Sequence, residues 1–431
     1  MSLAFSLCLL ALFVLAALGT PISLSMIISA IVYVAVRGQD LSLPAEQLIQ
    51  GLYDSFILLA VPLFIVAANI MNAGTISERL LKFCIALVGR FRGGLGHVNI
   101  VASLIFAGMS GSAVADAAGI GKIIIEMMRK GGRYPAGYAA AITAAASTIG
   151  PIIPPSIPMV LYALVSDSSI GYLFLGGILP GLLMGAVLMV MNGWIARRRN
   201  FLLEEPVPLS QMPKLTVEAF PALLMPVILL YGIYGGVTTP TEAAAVAAAY
   251  ALILAGVFYR ALSLRSLYNV MLQSAHSSAG VGLVIGGALI FNYIVAAENI
   301  PAQMQVFVDS LNVSPMAFLL SVNVLFLLLG CLLDASTIIL VIVPLFVPAC
   351  RHLGIDLVHF GVVTVVNCMI GLITPPYGIV LFVLNAVTGI PLKEMISEIW
   401  VFIGALVFAL LILIFFPDLV LWLPRVFGYA G

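Results

Sequence analysis

The residues of this sequence best suited to capturing ions and anionic solutes are two double-proline pairs and two carboxylates set in apolar surroundings. In the first half, GMSGSAVADAAGIG (Gly108 to Gly121) is followed by IGPIIPPSIP (Ile149 to Pro158); in the second, GCLLDAST (Gly330 to Thr337) is followed by IGLITPPYG (Ile370 to Gly378). By subtraction of positions, Asp116 lies 38 residues before Pro154 and Asp334 lies 41 before Pro375. The same odd features in the same order at a similar gap argue for a structural duplication. Each proline pair removes two backbone donors and pushes the preceding residue out of the α region, so a helix carrying it opens. Opened backbone in hydrocarbon costs several kcal/mol per unsatisfied group and is tolerated only where it lines a polar cavity. Carbonyls freed near Gly150, Ile153, Pro155, Gly371 and Thr374 are natural ligands for a hard cation such as Na⁺.

The stretches before the proline pairs supply the opposite wall. The apolar arm from Val98 to Phe106 is too short to cross, and after the tip (Gly108, Ser110, Gly111, Ser112) a second apolar arm returns to Met127. Leu325 to Gly330, a tip around Asp334, Ser336 and Thr337, and Ile338 to Val347 repeat that shape. Both read as re-entrant hairpins. In paired-repeat transporters such tips meet broken helices near the midplane, where helix N-termini attract anionic substrate and exposed carbonyls hold a coupling ion. Intramembrane carboxylates are expensive unless paired or hydrated, so Asp116 and Asp334 read as functional; capping of the helix that starts at the tip is the structural alternative. Glu242, after TTPT, reads as a first-turn capping residue. Asn69, Asn72, Glu298 and Asn299 fit either a cavity or a loop end, and the four histidines have no metal-ligand spacing.

The elements that position these residues follow from composition. The chain has 431 residues, 63% hydrophobic and 8% charged, against roughly a quarter charged in a soluble domain. Its length permits on the order of a dozen helical crossings. The apolar runs are continuous and do not alternate with period two, so helices and not barrel strands are expected. Eighteen basic and 18 acidic residues cancel, leaving no global field for nucleic acid. The five cysteines are scattered in apolar segments, without disulfide or zinc spacing. Met1 to Ala17 lacks a basic n-region and reads as a retained first helix. Further helices are expected at Ile22 to Val36, Phe56 to Met71, Ala136 to Ser166, Ile170 to Ala196, Phe220 to Tyr234 and Glu242 to Tyr259. Others fall at Ser277 to Ala297, Met316 to Leu329, His359 to Gly389 and Trp400 to Leu423. An amphipathic stretch between Met71 and Val98 reads as an interfacial helix. The chain divides into a first membrane half (1–199), a polar linker (200–216) and a second membrane half (217–431). Arg197, Arg198 and Arg199 are expected on the cytoplasmic side.

SGSAVADAAGIG, IGPIIPPSIPMVLYA, GGILPGLLMG and GLITPPYGIVLFV resemble the large membrane subunit of tripartite ATP-independent periplasmic (TRAP) transporters, a resemblance that spans nearly the whole chain. The resemblance implies an all-α polytopic protein of the bacterial inner membrane, built from two inverted repeats as a scaffold plus a transport domain that moves as an elevator. It also implies a small four-helix membrane subunit, a periplasmic substrate-binding protein, a small organic acid as substrate and Na⁺ as coupling ion. Because the sequence opens on a helix of the large subunit, the small subunit is expected as a separate chain. Carried over, the family's first sodium site falls on Gly108, Ser110 and Ser112 with Gly150, Ile153 and Pro155, and the second on Gly330 with Gly371, Thr374 and Tyr377. The substrate cavity between them falls on Ser112, Asp116, Pro154, Ser156, Asp334, Pro375 and Pro376. The second hairpin departs from the first, with Cys331, Leu332 and Leu333 in place of a Ser-Gly-Ser cluster, which leaves carbonyls and Asp334 there. A stand-alone sodium-coupled anion transporter of related architecture is the alternative. No phosphate-binding loop marks an ATP site, and no nucleophile and base occur together as an intramembrane enzyme would need.

Overall fold

The computed structural model describes residues 2–54, 56–72, 76–201, 203, 207–310 and 312–431, and every regular element among them is helical. The first half holds α1 (Leu3–Ala17), α2 (Ile22–Arg37), α3 (Leu43–Asp54), α4 (Ala60–Asn72), α5 (Ile76–Val88) and α6 (Gly94–Ser110). It continues with α7 (Ala113–Asp116), α8 (Lys122–Arg129), α9 (Ala136–Ser147), α10 (Ile157–Ser166) and α11 (Ile170–Arg198). Then come α12 (Met212–Tyr234), α13 (Pro240–Ile253), α14 (Leu264–Ala297), α15 (Ile300–Ser310), α16 (Pro315–Gly330) and α17 (Ala335–Thr337). The chain ends with α18 (Val343–His352), α19 (Leu357–Gly371), α20 (Ile379–Thr388), α21 (Leu392–Phe415) and α22 (Asp418–Val426).

Local chemistry sets many of these ends. Thr239 and Glu242 form a reciprocal capping box at the start of α13, the role expected for Glu242. The helix expected from Ser277 begins earlier, at Leu264, because Ser263 accepts the Ser266 N–H at 3.1 Å and caps it. The helix expected over Trp400 to Leu423 is two: α21 stops at Phe415, and Pro417, with no N–H to continue the ladder, opens α22. Of the expected linker, residues 202 and 204–206 lie outside the described residues, and its last part is already helical from Met212. The amphipathic stretch is α5, with Leu80 and Leu81 buried and Glu78 and Lys82 exposed.

Among the described residues six helices are long and apolar enough to cross a membrane, or seven if Leu43–Tyr53 and Phe56–Asn72, bent by 71°, count as one span. That is fewer than the dozen the length alone allows, because many of the apolar helices are shorter, at 10–17 residues. They come in matched sets. In the first half α6 and a return arm (α7, a π-helical turn Ala117–Gly121, then α8) form a hairpin, and α9 and α10 are the two pieces of one broken helix. In the second half α16 and a return arm (α17, a π-helical turn Ile338–Ile342, then α18) form the other hairpin, with α19 and α20 as the broken helix.

The sets interlock. The return arm of the first hairpin packs on α20, and that of the second packs on α10. At the far ends, Arg129 donates to the Thr388 carbonyl at 3.4 Å and Arg351 donates to the Ser166 carbonyl at 3.0 Å. Each guanidinium thus satisfies an orphan carbonyl at the negative end of the other half's helix. The long helix α11 braces the first set from behind. A methyl group at Gly177 would lie 2.2 Å from the Ile152 carbonyl oxygen, and one at Gly181 would lie 2.3 Å from Cγ1 of Ile153. Small residues there let α11 touch opened backbone directly. Overpacking of this kind costs about 1–3 kcal/mol. Gly177→Val is therefore expected to lower the thermal unfolding midpoint in detergent by several degrees. Gly404→Ala, where a methyl group meets nothing within 4 Å, is expected to leave it unchanged.

Candidate functional site

The first opened loop runs from Thr148 to Ser156 between α9 and α10. Its early turns are closed by Gly150 N–H to the Ser147 carbonyl at 3.2 Å and Ile152 N–H to the Ile149 carbonyl at 3.0 Å. At its end Ser156 caps α10, accepting the Met159 N–H at 3.2 Å and donating to the Pro151 carbonyl. The Pro154–Pro155 peptide is cis. Between those turns the carbonyls of Gly150, Ile153, Pro154 and Pro155 accept no hydrogen bond among the described residues. Pro154, Pro155 and Ser156 are all buried.

The second loop, Leu372 to Gly378 between α19 and α20, is differently arranged. The Gly371 carbonyl is not free, since it accepts the Thr374 N–H at 3.0 Å, and Thr374 Oγ1 donates to the Ile370 carbonyl at 2.7 Å. The carbonyls of Ile373, Thr374 and Pro375 accept nothing among the described residues. Pro376 and Tyr377 are exposed, and the Tyr377 ring lies 5.4 Å from that of Phe382. Gly378, at φ +48°, leads into α20 without a side-chain cap, whereas α10 has Ser156.

Each hairpin tip reaches its own half's loop by bare backbone. Gly111, at φ +58°, brings the first tip so near that a methyl group on it would sit 2.4 Å from the Pro155 carbonyl oxygen. In the second half Gly330 and Gly371 face each other, and a methyl group on Gly371 would lie 2.6 Å from the Gly330 Cα. Gly108 packs against Pro226 of α12, a residue the sequence reading does not include; a long-range packing partner leaves no local signal.

Around the first tip, Ser110 Oγ donates to Asp116 Oδ1 and accepts the Ser112 N–H at 3.4 Å, while Ser112 caps α7. Asp116 is only 2% exposed, and its second oxygen, Oδ2, has no partner among the described residues. It points at the first loop, where a methyl group on Gly150 would lie 2.4 Å from it. An orphaned buried carboxylate oxygen is rare, because its desolvation is uncompensated. Asp334 is held otherwise: it caps α17, accepting the Thr337 N–H at 3.2 Å and the Thr337 hydroxyl. The structural counterpart of Asp334 is therefore Ser112, not Asp116. Cap-to-proline gaps agree, since Ser112 lies 42 residues before Pro154 and Asp334 lies 41 before Pro375.

The structure thus brings Ser110, Ser112, Asp116, Gly150 and Pro155 to one place and Gly330, Gly371 and Thr374 to another. The side chain of Ile153 turns away to Gly181, and that of Tyr377 lies on Phe382. Glu298 sits apart from both, accepting from Ser2 N–H and Oγ, Tyr33 OH and Arg37 at the ends of α1, α2 and α14. Asn69 donates to Ser274 at 2.9 Å and ties α4 to α14. Among the described residues no three His, Cys, Asp or Glu side chains gather to hold a metal. The donors at the first tip are main-chain carbonyls, hydroxyls and one carboxylate, an all-oxygen set suited to a hard cation.

Comparisons with known proteins bear on what such an arrangement serves. A family described as "Tripartite ATP-independent periplasmic transporter, DctM component" matches residues 9–419. The chain is 40% identical over 414 residues to the sialic acid TRAP transporter large permease protein SiaM of Vibrio cholerae, covering 96% of each. It is 40% identical over 377 residues to the C4-dicarboxylate TRAP transporter large permease protein DctM of Pseudomonas aeruginosa, covering 88% of each. To the 2,3-diketo-L-gulonate protein YiaN of Escherichia coli it is 36% identical, over 94% of this chain and 95% of that one. Among solved structures, the YdaH transporter of Alcanivorax borkumensis shares the fold, with a TM-score of 0.60 at 16% identity over 86% of this chain and 87% of that one. With a family match and whole-length relatives of this kind, the chain belongs to the DctM-component family of TRAP transporters, as an inner-membrane large permease and not an enzyme.

Proposed function

We propose that this permease couples the inward movement of Na⁺ to uptake of a small organic acid. The observation that carries this reading is the Oδ2 of Asp116, without a partner among the described residues, buried at the first hairpin tip and facing a loop in which the Gly150, Ile153, Pro154 and Pro155 carbonyls likewise accept no hydrogen bond among them. A cation between them offsets the carboxylate's charge while the carbonyls ligate it, whereas a neutral donor such as water can bond both but leaves the charge in place. Ser110 and Ser112 orient Asp116, and Gly150 and Pro155 supply main-chain oxygens. A second cation at Gly330, Gly371 and Thr374 has fewer oxygens to use, because the Gly371 carbonyl and the Thr374 hydroxyl are already engaged.

The acid goes to the open second loop. The N-terminus of α20 carries no side-chain cap beside exposed Pro376 and Tyr377, and although the Val380 and Leu381 N–H groups are bonded to the Leu372 and Gly378 carbonyls, the Ile379 N–H donates to nothing among the described residues, so it and the positive helix end suit a carboxylate. The relatives are named for sialic acid, C4-dicarboxylate and 2,3-diketo-L-gulonate, all acids by name. Ser156, Pro154, Pro375 and Asp334 shape the walls of that space by fixing the loops and the second tip. A periplasmic binding protein delivers the acid and a separate small four-helix subunit steadies the permease. The interlocked hairpins and broken helices travel together as the moving body of an elevator built from two inverted repeats.

In vesicles containing the permease, its small subunit and the loaded binding protein, uptake is expected to require an inward sodium gradient. Equal uptake with potassium in place of sodium rejects the coupling. Asp116→Asn keeps the shape and removes the charge; a tenfold or greater loss of uptake is expected, with expression retained, corresponding to about 1.4 kcal/mol or more of lost interaction. Replacing Pro154 and Pro155 with alanine lets the broken helix close and is expected to reduce transport more than expression. Sodium-dependent uptake at the native rate by that double variant contradicts the role of the opened loop.

A further inference from the structure

Away from the hairpin tips, a groove of about 920 Å³ opens on the outer surface of the first half, between the end of α5, the turn into α6 and the last turns of α11. Two cations, Arg92 and Arg197, line it together with Val88, Phe91, Val190 and Trp194. Both arginines are exposed, and neither makes an ion pair or side-chain hydrogen bond among the described residues. Among the described residues no carboxylate lines the groove. Further positive charge borders it: Arg90 lies 5.3 Å over the Phe91 ring and Arg198 lies 5.3 Å over the Trp194 ring. Glu398 of α21 is already held by two nitrogens of Arg199 at 2.8 and 2.9 Å.

The depth of the groove in the bilayer is legible from its aromatic residues. Trp194 is 52% exposed and Trp400, on α21 near Glu398, is 53% exposed. Half-exposed tryptophans beside a run of arginines mark the headgroup level of a membrane, and three consecutive arginines mark its cytoplasmic side. From that level the surface continues inward without charged side chains among the described residues. Val190 is shared with a second, apolar groove of about 590 Å³ between α11 and α21, lined by Ala186, Met191, Gly404 and Phe408. A soluble anion would use the arginines and leave this apolar channel empty. A phospholipid uses both, with its phosphate between Arg92 and Arg197 and an acyl chain along α11 past Val190.

We propose that this groove is a specific site for an anionic phospholipid of the cytoplasmic leaflet. Basic pockets between membrane helices on that side favour anionic headgroups, each arginine near the surface adding to the attraction. The site lies at the base of the first hairpin. There Asn192 of α11 donates to the Gly93 carbonyl at 3.2 Å and accepts from Tyr138 of α9. A lipid seated between Arg92 and Arg197 therefore bridges the same two elements, the hairpin's root and α11, from the membrane side.

The test is native mass spectrometry of the permease with its small subunit, released from nanodiscs of equimolar phosphatidylglycerol and phosphatidylcholine. Retained phosphatidylglycerol is expected to exceed phosphatidylcholine by about tenfold, and the ratio is expected to fall to about twofold or less in Arg92→Gln/Arg197→Gln. Arg92→Lys/Arg197→Lys is expected to keep the preference, as is Arg265→Gln, an exposed arginine outside the groove. Equal retention of the two lipids, or a preference that survives the double glutamine variant, overturns the proposal. Loss of the bound lipid on adding excess inorganic phosphate also overturns it, in favour of a soluble-anion site. Adducts seen with the large subunit alone but absent from the complex overturn it in favour of a protein interface.

Discussion

The structure turns on one constraint: in hydrocarbon, a peptide group that leaves a helix must be covered by something other than water. Two double-proline loops break this rule in the middle of buried helices, at a cost of several kcal/mol per uncovered group. The cover is other backbone. Gly111 lies against the Pro155 carbonyl, Gly330 against Gly371, and Gly177 of α11 against the Ile152 carbonyl. A side chain at any of these positions would hold the covering element away and leave a dry gap. Glycines in the hairpin tips and in α11 are thus consequences of the prolines opposite them. The π-helical turn after each tip fits the same demand, since it re-aims the return arm on leaving the contact.

What the cover leaves unsatisfied differs between the halves, and the proposed function rests on that difference. At the first loop Pro154, Pro155, Ser156 and Asp116 are buried, yet the carbonyls of Gly150, Ile153, Pro154 and Pro155 and one carboxylate oxygen have no hydrogen-bond partner among the described residues. At the second, Thr374 engages the Gly371 and Ile370 carbonyls through its N–H and hydroxyl while the Ile373, Thr374 and Pro375 carbonyls accept nothing among the described residues, Asp334 is spent on a helix cap, and Pro376 and Tyr377 face outward. One loop is enclosed and rich in unmatched negative potential. The other is open and lies at the positive end of α20. A duplicated framework has in this way come to offer places of opposite sign, which suits moving a cation and an anion together.

Much of this was legible in the residues. Pro-Pro and the Gly-Ser cluster act through local backbone rules, so the broken helices and hairpins could be placed before any coordinates. The pairing of Asp116 with Asp334 was not correct in three dimensions, because identity of residue type is a weaker guide than capping role. Counting from the caps aligns Ser112 with Asp334 and isolates Asp116 as a feature of the first half alone. Helix lengths were harder. In α9 and α19 almost every residue is buried on all sides, so no hydrophobic periodicity marks their faces, and their ends are set by loops folded against distant helices. The start of α14 at Ser263 and the split at Pro417 do carry local signals, but they fall inside long apolar runs that mask them.

Cross-half packing carries the argument one step further. If the halves were independent units side by side, each hairpin would need only its own broken helix. Instead each tip touches the loop of its own half while each return arm lies on the second helix piece of the other, and Arg129 and Arg351 fasten the far ends reciprocally. Four elements so joined cannot separate without exposing carbonyls at Thr388 and Ser166 as well as the loops themselves. The helices α1, α2 and α14 are bound by a different knot, the Glu298 carboxylate with Ser2, Tyr33 and Arg37. Two groups of helices, each tied within itself by polar contacts, therefore meet across surfaces that are mainly apolar. Asn292 of α14 donates to the Leu340 carbonyl of the second return arm at 3.1 Å across that boundary, so sliding there breaks at least this bond, whereas a boundary through the loops would break the reciprocal arginine contacts as well. The elevator motion proposed for this permease asks the chain to yield along that boundary.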